Sequence, residues 1–325
     1  MAFPLKNSSS TSTRRNPMYN SDKFRRSWTV FRNSLQVMVR NPKLLLFPLV
    51  TFGCTVAIAL FFFAPAVLLP TGHPWGTGGH WMAVAARWGN LVAAEGHTQH
   101  WHPKPVAYLY LVAIYLVSMI SATFFNVAFY NEIIKALAGG RVSIRAGLGF
   151  ARCRLRSILF WSLFAGAIGL LIRALEERFG WIGRLVMRFV GVAWSVASVF
   201  VIPVMIREGS VNPLTLLKNS AATLKKTWGE ALIGYAGIGL GSGLVLLGSF
   251  LLLLGVGVIA YWAHRPMLLV PLGLAWLLGV MAFGYVVSVA NDIYRCALYV
   301  YASEGVVPEP YTAELMDAAW KVRKS

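Results

Sequence analysis

Three histidines fall within six residues, as His97-x-x-His100-x-His102. Neutral imidazole suits Zn, Ni or Cu, so a chain folded back on itself could gather them around one ion, with His73 or His80 completing the set. Against a metal centre stand the absence of a nearby Cys, a single carboxylate at Glu95, and a spacing that matches no standard zinc pattern. A solvated loop is the plainer reading. A second set is acidic: Glu132, Glu208, Glu230 and Asp292 all sit beside long apolar stretches, where converging carboxylates could hold a cation or proton. Local pairing competes, because Glu132 with Lys135 and Asp292 with Arg295 are i, i+3 neighbours on a helix. Glu176 and Glu177 likewise face Arg173, Arg178 and Arg184. Ser118, Ser121, Thr123 and Asn126, with Trp194, Ser195 and Ser198, could line a polar path, although such groups more often join helices by hydrogen bonds of about 0.6 kcal/mol.

Nothing else in the chain offers a reaction. There is no HExxH, P-loop or GxSxG, and Ser242 has Leu240 where a nucleophile elbow needs Gly. The string GYAGIG at 234–239 follows no strand and runs on into apolar residues, against a dinucleotide site. No catalytic residue and no cofactor is therefore expected, and the chain is read as non-enzymatic.

These residues are positioned by six apolar stretches: Leu44–Leu69, Val106–Tyr130, Ser157–Ile172, Phe189–Ile206, Ala231–Tyr261 and Met267–Ala290. A bilayer core of about 30 Å needs roughly 20 helical residues. The third stretch is short, so its helix should continue to Leu175, with Arg173 snorkelling; a re-entrant hairpin of the third and fourth is the alternative. Composition agrees with a membrane class, at 57% apolar, 13% charged and a mean hydropathy of +0.60. If every stretch crosses once, segments 1–43, 131–156, 207–230 and 291–325 share one side and carry 23 of the 30 Lys and Arg, against 7 opposite. By the positive-inside rule both termini are cytoplasmic, in a cytoplasmic membrane. All six histidines then lie outside, five of them in the loop 70–105, where Trp81, Val84, Trp88 and Leu91 predict a short surface helix.

The formal charge of +18 could suggest nucleic acid, but the bases flank apolar spans and form no recognition module. Anionic lipid headgroups are the simpler partner, at about 1 kcal/mol per base. Cys54, Cys153 and Cys296 offer no pair to an oxidising compartment, so no disulfide is expected. Residues 1–23 are rich in Ser, Thr and Asn, lack the apolar core of a signal peptide, and read as a disordered tail, with 306–325 a second tail.

Before three of the stretches lies a basic segment with apolar residues at helical spacing. The first has Phe24, Trp28, Phe31, Leu35 and Met38 among Arg25, Arg26, Arg32 and Arg40. The second has Ile144, Leu148, Ala151 and Leu155 among Arg145, Arg152 and Arg154. The third has Leu214, Leu217, Ala221, Leu224 and Trp228 among Lys218, Lys225 and Lys226, with Asn212-Pro213 as its start. An interfacial helix plus a two-span hairpin, used three times, is the predicted unit. The fold class is thus all-α integral membrane, a six-helix domain over 24–305 with elbow helices on the cytoplasmic face. Asn131-Glu132-Ile133-Ile134-Lys135 and Asn291-Asp292-Ile293-Tyr294-Arg295 repeat one pattern, and Arg207-Glu208 echoes it. Small residues at Gly237/Gly241 and Gly239/Gly243 predict close helix packing, within the chain or in a homodimer.

The stretch Arg173–Gly234 (RALEERFGWIGRLVMRFVGVAWSV and onward through NPLTLLKNSAATLKKTWGEALIG) and ALYVYASEGVVPEPY at 297–311 resemble an uncharacterised family of bacterial polytopic membrane proteins. The likeness runs from about Phe24 to about Tyr311. More distantly the chain is similar to the membrane domain of glycerophosphoryl diester phosphodiesterases, whose catalysis belongs to a separate soluble barrel. That resemblance implies a membrane module and brings no catalytic residue. The readings it leaves open are a lipid-interacting or scaffolding protein with a membrane-protein partner, and a transporter or permease for a small ion or lipid.

Overall fold

Proline opens the helices where the sequence offers it. Pro42 starts a 3-10 turn, Pro42–Leu45, after helix α1, Met18–Arg40. Pro105 is the first residue of α4, Pro105–Leu137, and Pro213 that of α9, Pro213–Trp262, where Asn212 Oδ1 accepts the Leu214 N–H at 3.0 Å. The computed structural model describes residues 18–93, 99–178, 180–262, 267 and 269–317. Its remaining helices are α2 (Leu46–Val67), α3 (Gly78–Trp88), α5 (Ile144–Cys153), α6 (Leu155–Arg178), α7 (Trp181–Ala197), α8 (Val201–Glu208), α10 (Leu269–Glu304) and α11 (Ala313–Asp317).

Among the described residues five helical segments are long and apolar enough to cross a membrane: Pro42–Pro65, Pro105–Leu137, Leu155–Arg178, Gly183–Glu208 and Leu269–Glu304. A shorter apolar stretch, Ser242–Val258, lies within α9. The architecture is that of a multi-pass membrane protein. The loop-side halves of these helices expose large apolar residues such as Phe61, Leu109 and Leu278, as α9 does Leu252. The buried core gathers instead at one end, from Val127–Leu137 of α4, Val289–Val300 of α10, Phe200–Ile206, Ile158 to Ala165 of α6, and parts of α1 and α9. This elbow end lies opposite the loop 68–104, and α4 and α10, at 33 and 36 residues, are about 50 and 54 Å long at 1.5 Å per residue, longer than a bilayer core of about 30 Å.

Several expectations are corrected. The short loop helix, α3, stops at Trp88, and β1 (Gly89–Ala93) and β2 (Gln99–Pro103) pair antiparallel directly after it. Leu91 therefore leaves the predicted surface helix for a strand, beyond Gly89, a weak helix former. The third elbow is not a separate helix. It is the first part of α9, 50 residues long, since no proline follows Pro213 until Pro266. The fourth stretch is not one helix either, breaking between α7 and α8 at 198–200. Helix α1 is described from Met18, and Tyr311 and Met316 are buried in the core, while residues 1–17 and 318–325 of the two expected tails lie outside the described residues. Gly243 meets nothing within 4 Å, while Gly237 and Gly241 have side-chain positions outside the described residues. Close approach occurs at Gly147, where a Cβ would lie 2.9 Å from the Ala128 carbonyl oxygen and 2.9 Å from Glu132 Cγ.

The elbow stripes face the core in part. Met38, Ala151 and Leu224 are buried and Phe31, Leu35, Ile144, Leu148 and Leu217 pack against them, whereas Trp28 is 57% exposed and Leu214 62%, and Ser34 of α1 and Ser220 of α9, outside the stripes, are buried. In lipid the driving force is reversed: large apolar groups lose nothing by facing acyl chains, and small polar ones gain by joining helices.

Candidate functional site

The polar groups of the elbow end are built on the repeated Asn-acid-Ile motif. Glu132 is buried on α4, and its Oε2 accepts the Ser143 N–H at 2.7 Å. Asn131 Nδ2 donates to Glu132 Oε1 at 3.2 Å, and Lys135 Nζ stands 3.8 Å from Oε2. Ser143 is the N-cap of α5, its Oγ accepting the Ala146 N–H at 3.4 Å. Glu132 thus places a carboxylate at the positive end of the second elbow, and Gly147 lets that elbow lie against α4.

In the second copy of the motif the partners differ. Tyr130 donates its hydroxyl to Asp292 Oδ1 at 2.7 Å and accepts from Arg295 Nη1 at 2.7 Å. Arg295 lies 3.7 Å from Asp292 and over the Tyr130 ring at 6.0 Å. This cluster fastens α4 to α10. Sequence reasoning did not single out Tyr130, and one signal was present: it precedes the motif in one copy where Ala290 precedes it in the other.

Two further contacts tie α8 into the layer. Glu208 Oε2 accepts from Asn219 Nδ2 at 2.6 Å, and Arg207 reaches Glu304 of α10 at 2.8 Å. Glu230 lies in α9, with its side chain outside the described residues. Each described acid of the proposed set is held by its own donor. Among the described residues no three of His, Cys, Asp and Glu are placed to share a metal ion.

At the break between α7 and α8, Ser220 of α9 fills the gap. Its Oγ donates to the Ala197 carbonyl at 2.6 Å and accepts the Phe200 N–H at 3.0 Å, replacing the helical partners that the break removes. Ser195 and Ser198 bond back within α7, to the Gly191 and Ser195 carbonyls at 2.9 and 3.2 Å, and Thr123 to Met119 at 2.8 Å. Ser118 and Ser121 are half-buried on α4, and Asn126 is exposed.

The basic residues of the elbows point elsewhere. Arg32, Arg145, Arg152, Lys218 and Lys225 are exposed and have no ion pair among the described residues; the side chains of Arg25, Arg26 and Lys226 lie outside them. At the loop end, Arg173 pairs with Glu177 at 3.3 Å and Arg188 with Glu176 at 3.4 Å. His80 is buried, its Nδ1 2.7 Å from Thr71 Oγ1. His97 lies outside the described residues, while the strand register sets His100 opposite Val92 and His102 opposite Asn90.

Helix α1 and the segment after α10 meet at the elbow end. Ser34 Oγ donates to the Val30 carbonyl at 3.1 Å, so its 2.8 Å contact with the Tyr311 hydroxyl is donated by Tyr311. Burial pushes the Tyr311 phenol well above its ordinary range. Asn33 Nδ2 donates to the Pro310 carbonyl at 3.2 Å.

Comparison with known proteins gives one match. No curated protein and no solved structure matches the chain, so the likeness to the phosphodiesterase membrane domain receives no support. A family described as of unknown function matches residues 105–308, from α4 to just past α10, more than half of the chain and nearly all of the polar layer. The protein belongs to that family, the Family of unknown function (DUF6159).

Proposed function

We propose that this is a non-enzymatic protein of a bacterial cytoplasmic membrane, with six spans and cytoplasmic termini, whose elbow face grips anionic lipid and whose bundle organises lipid or a membrane-protein partner. The observation that carries this reading is the division of charge at the elbow end. Glu132, Asp292 and Glu208 are held by internal donors, whereas Arg32, Arg145, Arg152, Lys218 and Lys225 are exposed without ion-pair partners among the described residues. An outward basic rim over an internally neutralised layer suits anionic headgroups, each base adding about 1 kcal/mol. Replacing Arg145 and Arg152 by Gln should reduce phosphatidylglycerol retained through purification, read by lipid mass spectrometry, with insertion unchanged. Equal retention in that variant and in Lys218→Gln/Lys225→Gln would overturn it.

A second reading, a transporter or permease, draws on the break at 198–200, because interrupted helices mark many transport sites. Ser220 closes that break internally, which favours a sealed structural joint. Protein-dependent proton or potassium flux in dye-loaded proteoliposomes would reverse the preference.

A further inference from the structure

A cleft of about 500 Å³ opens at the elbow end, between the end of α1, the end of α4 and the segment after α10. Its size is that of a small-molecule site, for which roughly 300 to 1,000 Å³ is usual. Arg40 and Glu309 both line it, and neither has an ion-pair or hydrogen-bond partner among the described residues. Two opposite charges sharing one cleft and not pairing with each other leave room for a ligand that carries both signs.

The surroundings set which sign goes where. Leu137 and Ala138 line the cleft at the C-terminal end of α4, where the Ile134, Lys135 and Ala136 carbonyls already accept from Ala138, Gly139 and Gly140, so the Leu137 and Ala138 carbonyls are the ones that favour a cation in the cleft that Glu309 also lines. Arg40 offers a planar fork of donors, the group suited to phosphate oxygens. Asn41 uses its Nδ2 on the Val37 carbonyl at 3.2 Å, which leaves its Oδ1 to accept from a ligand. The depth is fixed as well. Arg40 lies two residues before the candidate span that begins at Pro42, which sets the α1 wall of the cleft at headgroup level.

We infer that this cleft binds the phosphoethanolamine headgroup of a zwitterionic lipid, phosphate on Arg40 and ammonium between Glu309 and the α4 carbonyls. The inference rests on the placement of the elbow end at the headgroup layer, and it concerns a lipid class different from the one assigned to the basic rim. A trimethylammonium has no N–H to give Glu309 or a carbonyl, so phosphatidylcholine should be discriminated against.

The test uses the full chain in mixed micelles holding phosphatidylglycerol constant, with equal phosphatidylethanolamine and phosphatidylcholine, and counts retained lipids by native mass spectrometry. The wild type should retain phosphatidylethanolamine about tenfold over phosphatidylcholine, the ratio that one charge-assisted hydrogen bond of about 1.4 kcal/mol supports. Arg40→Gln, Glu309→Gln and the cleft-filling Ala138→Trp should each bring that ratio to one while phosphatidylglycerol retention stays at the wild-type level. Parity in the wild type, or an unchanged ratio in all three variants, overturns the site. Loss of phosphatidylglycerol alone in elbow variants reports on the rim and leaves the cleft ratio intact. Soluble glycerophosphoethanolamine, titrated into lipid-free protein, separates the sources. Binding as tight as that of the lipid would overturn a bilayer ligand, and no binding at millimolar concentration is the expected result.

Discussion

Tyr130 is the residue on which the α4 and α10 contact depends most. Tyr130→Phe keeps the ring and removes the hydroxyl that serves Asp292 and Arg295 at once. It should lower stability by about 1–3 kcal/mol, read as a reduced thermal midpoint in detergent, because one charged group is left short of a partner. An unchanged midpoint would mean that Arg295 closes the gap by itself. Tyr311 supplies the pH dependence. Its folded-state phenol titrates above the unfolded one, so its contribution is whole below about pH 10 and is lost as pH rises through the folded value. Tyr311→Phe should cost about 1 kcal/mol at neutral pH and flatten the alkaline fall in stability. At this scale the sequence was partly legible. The i, i+3 pairs of Glu132 with Lys135 and Asp292 with Arg295 follow from spacing along one helix. Neither Tyr130 on Asp292 nor Glu132 on Ser143 does, because those contacts depend on how helices lie across one another.

The elements show a different boundary between the legible and the hidden. Apolar length marks where chains cross, and prolines mark starts at Pro42, Pro105 and Pro213. The break at 198–200 is announced only by Pro203, in the first turn of α8, which cannot continue the ladder to Val199, and its stability depends on a serine from another helix. Ser220→Ala leaves the Phe200 N–H and the Ala197 carbonyl without that partner and should cost roughly 1–3 kcal/mol. Ser195→Ala, whose hydroxyl only bonds back to Gly191, is the comparison and should change little. Equal midpoints for the two variants would show that the break tolerates its own unmet groups. The exposure of Trp28 and Leu214 has the same origin, since periodicity reports a helix face and not whether lipid or protein covers it.

For the whole molecule the first question is orientation, which rests on the distribution of bases. In a background lacking Cys54, Cys153 and Cys296, Thr77→Cys at the loop end and Ser303→Cys at the elbow end should label differently. An impermeant thiol reagent applied to cells with a permeabilised outer membrane should reach position 77 and spare 303. The reverse pattern would invert the topology and move the basic rim to the outer face.

The joining of α1 to the segment beyond α10 has a consequence for how the protein is made. Ser34 and Tyr311, and Asn33 and Pro310, lie 277 residues apart in sequence. During synthesis α1 leaves the ribosome long before its docking surface exists. Each hairpin can enter the bilayer as it emerges, but the packed end closes only after the final helix has been threaded. Until then α1 is an unclaimed amphipathic segment, and the interval before closure is when a membrane protease or chaperone has its best access to the nascent chain.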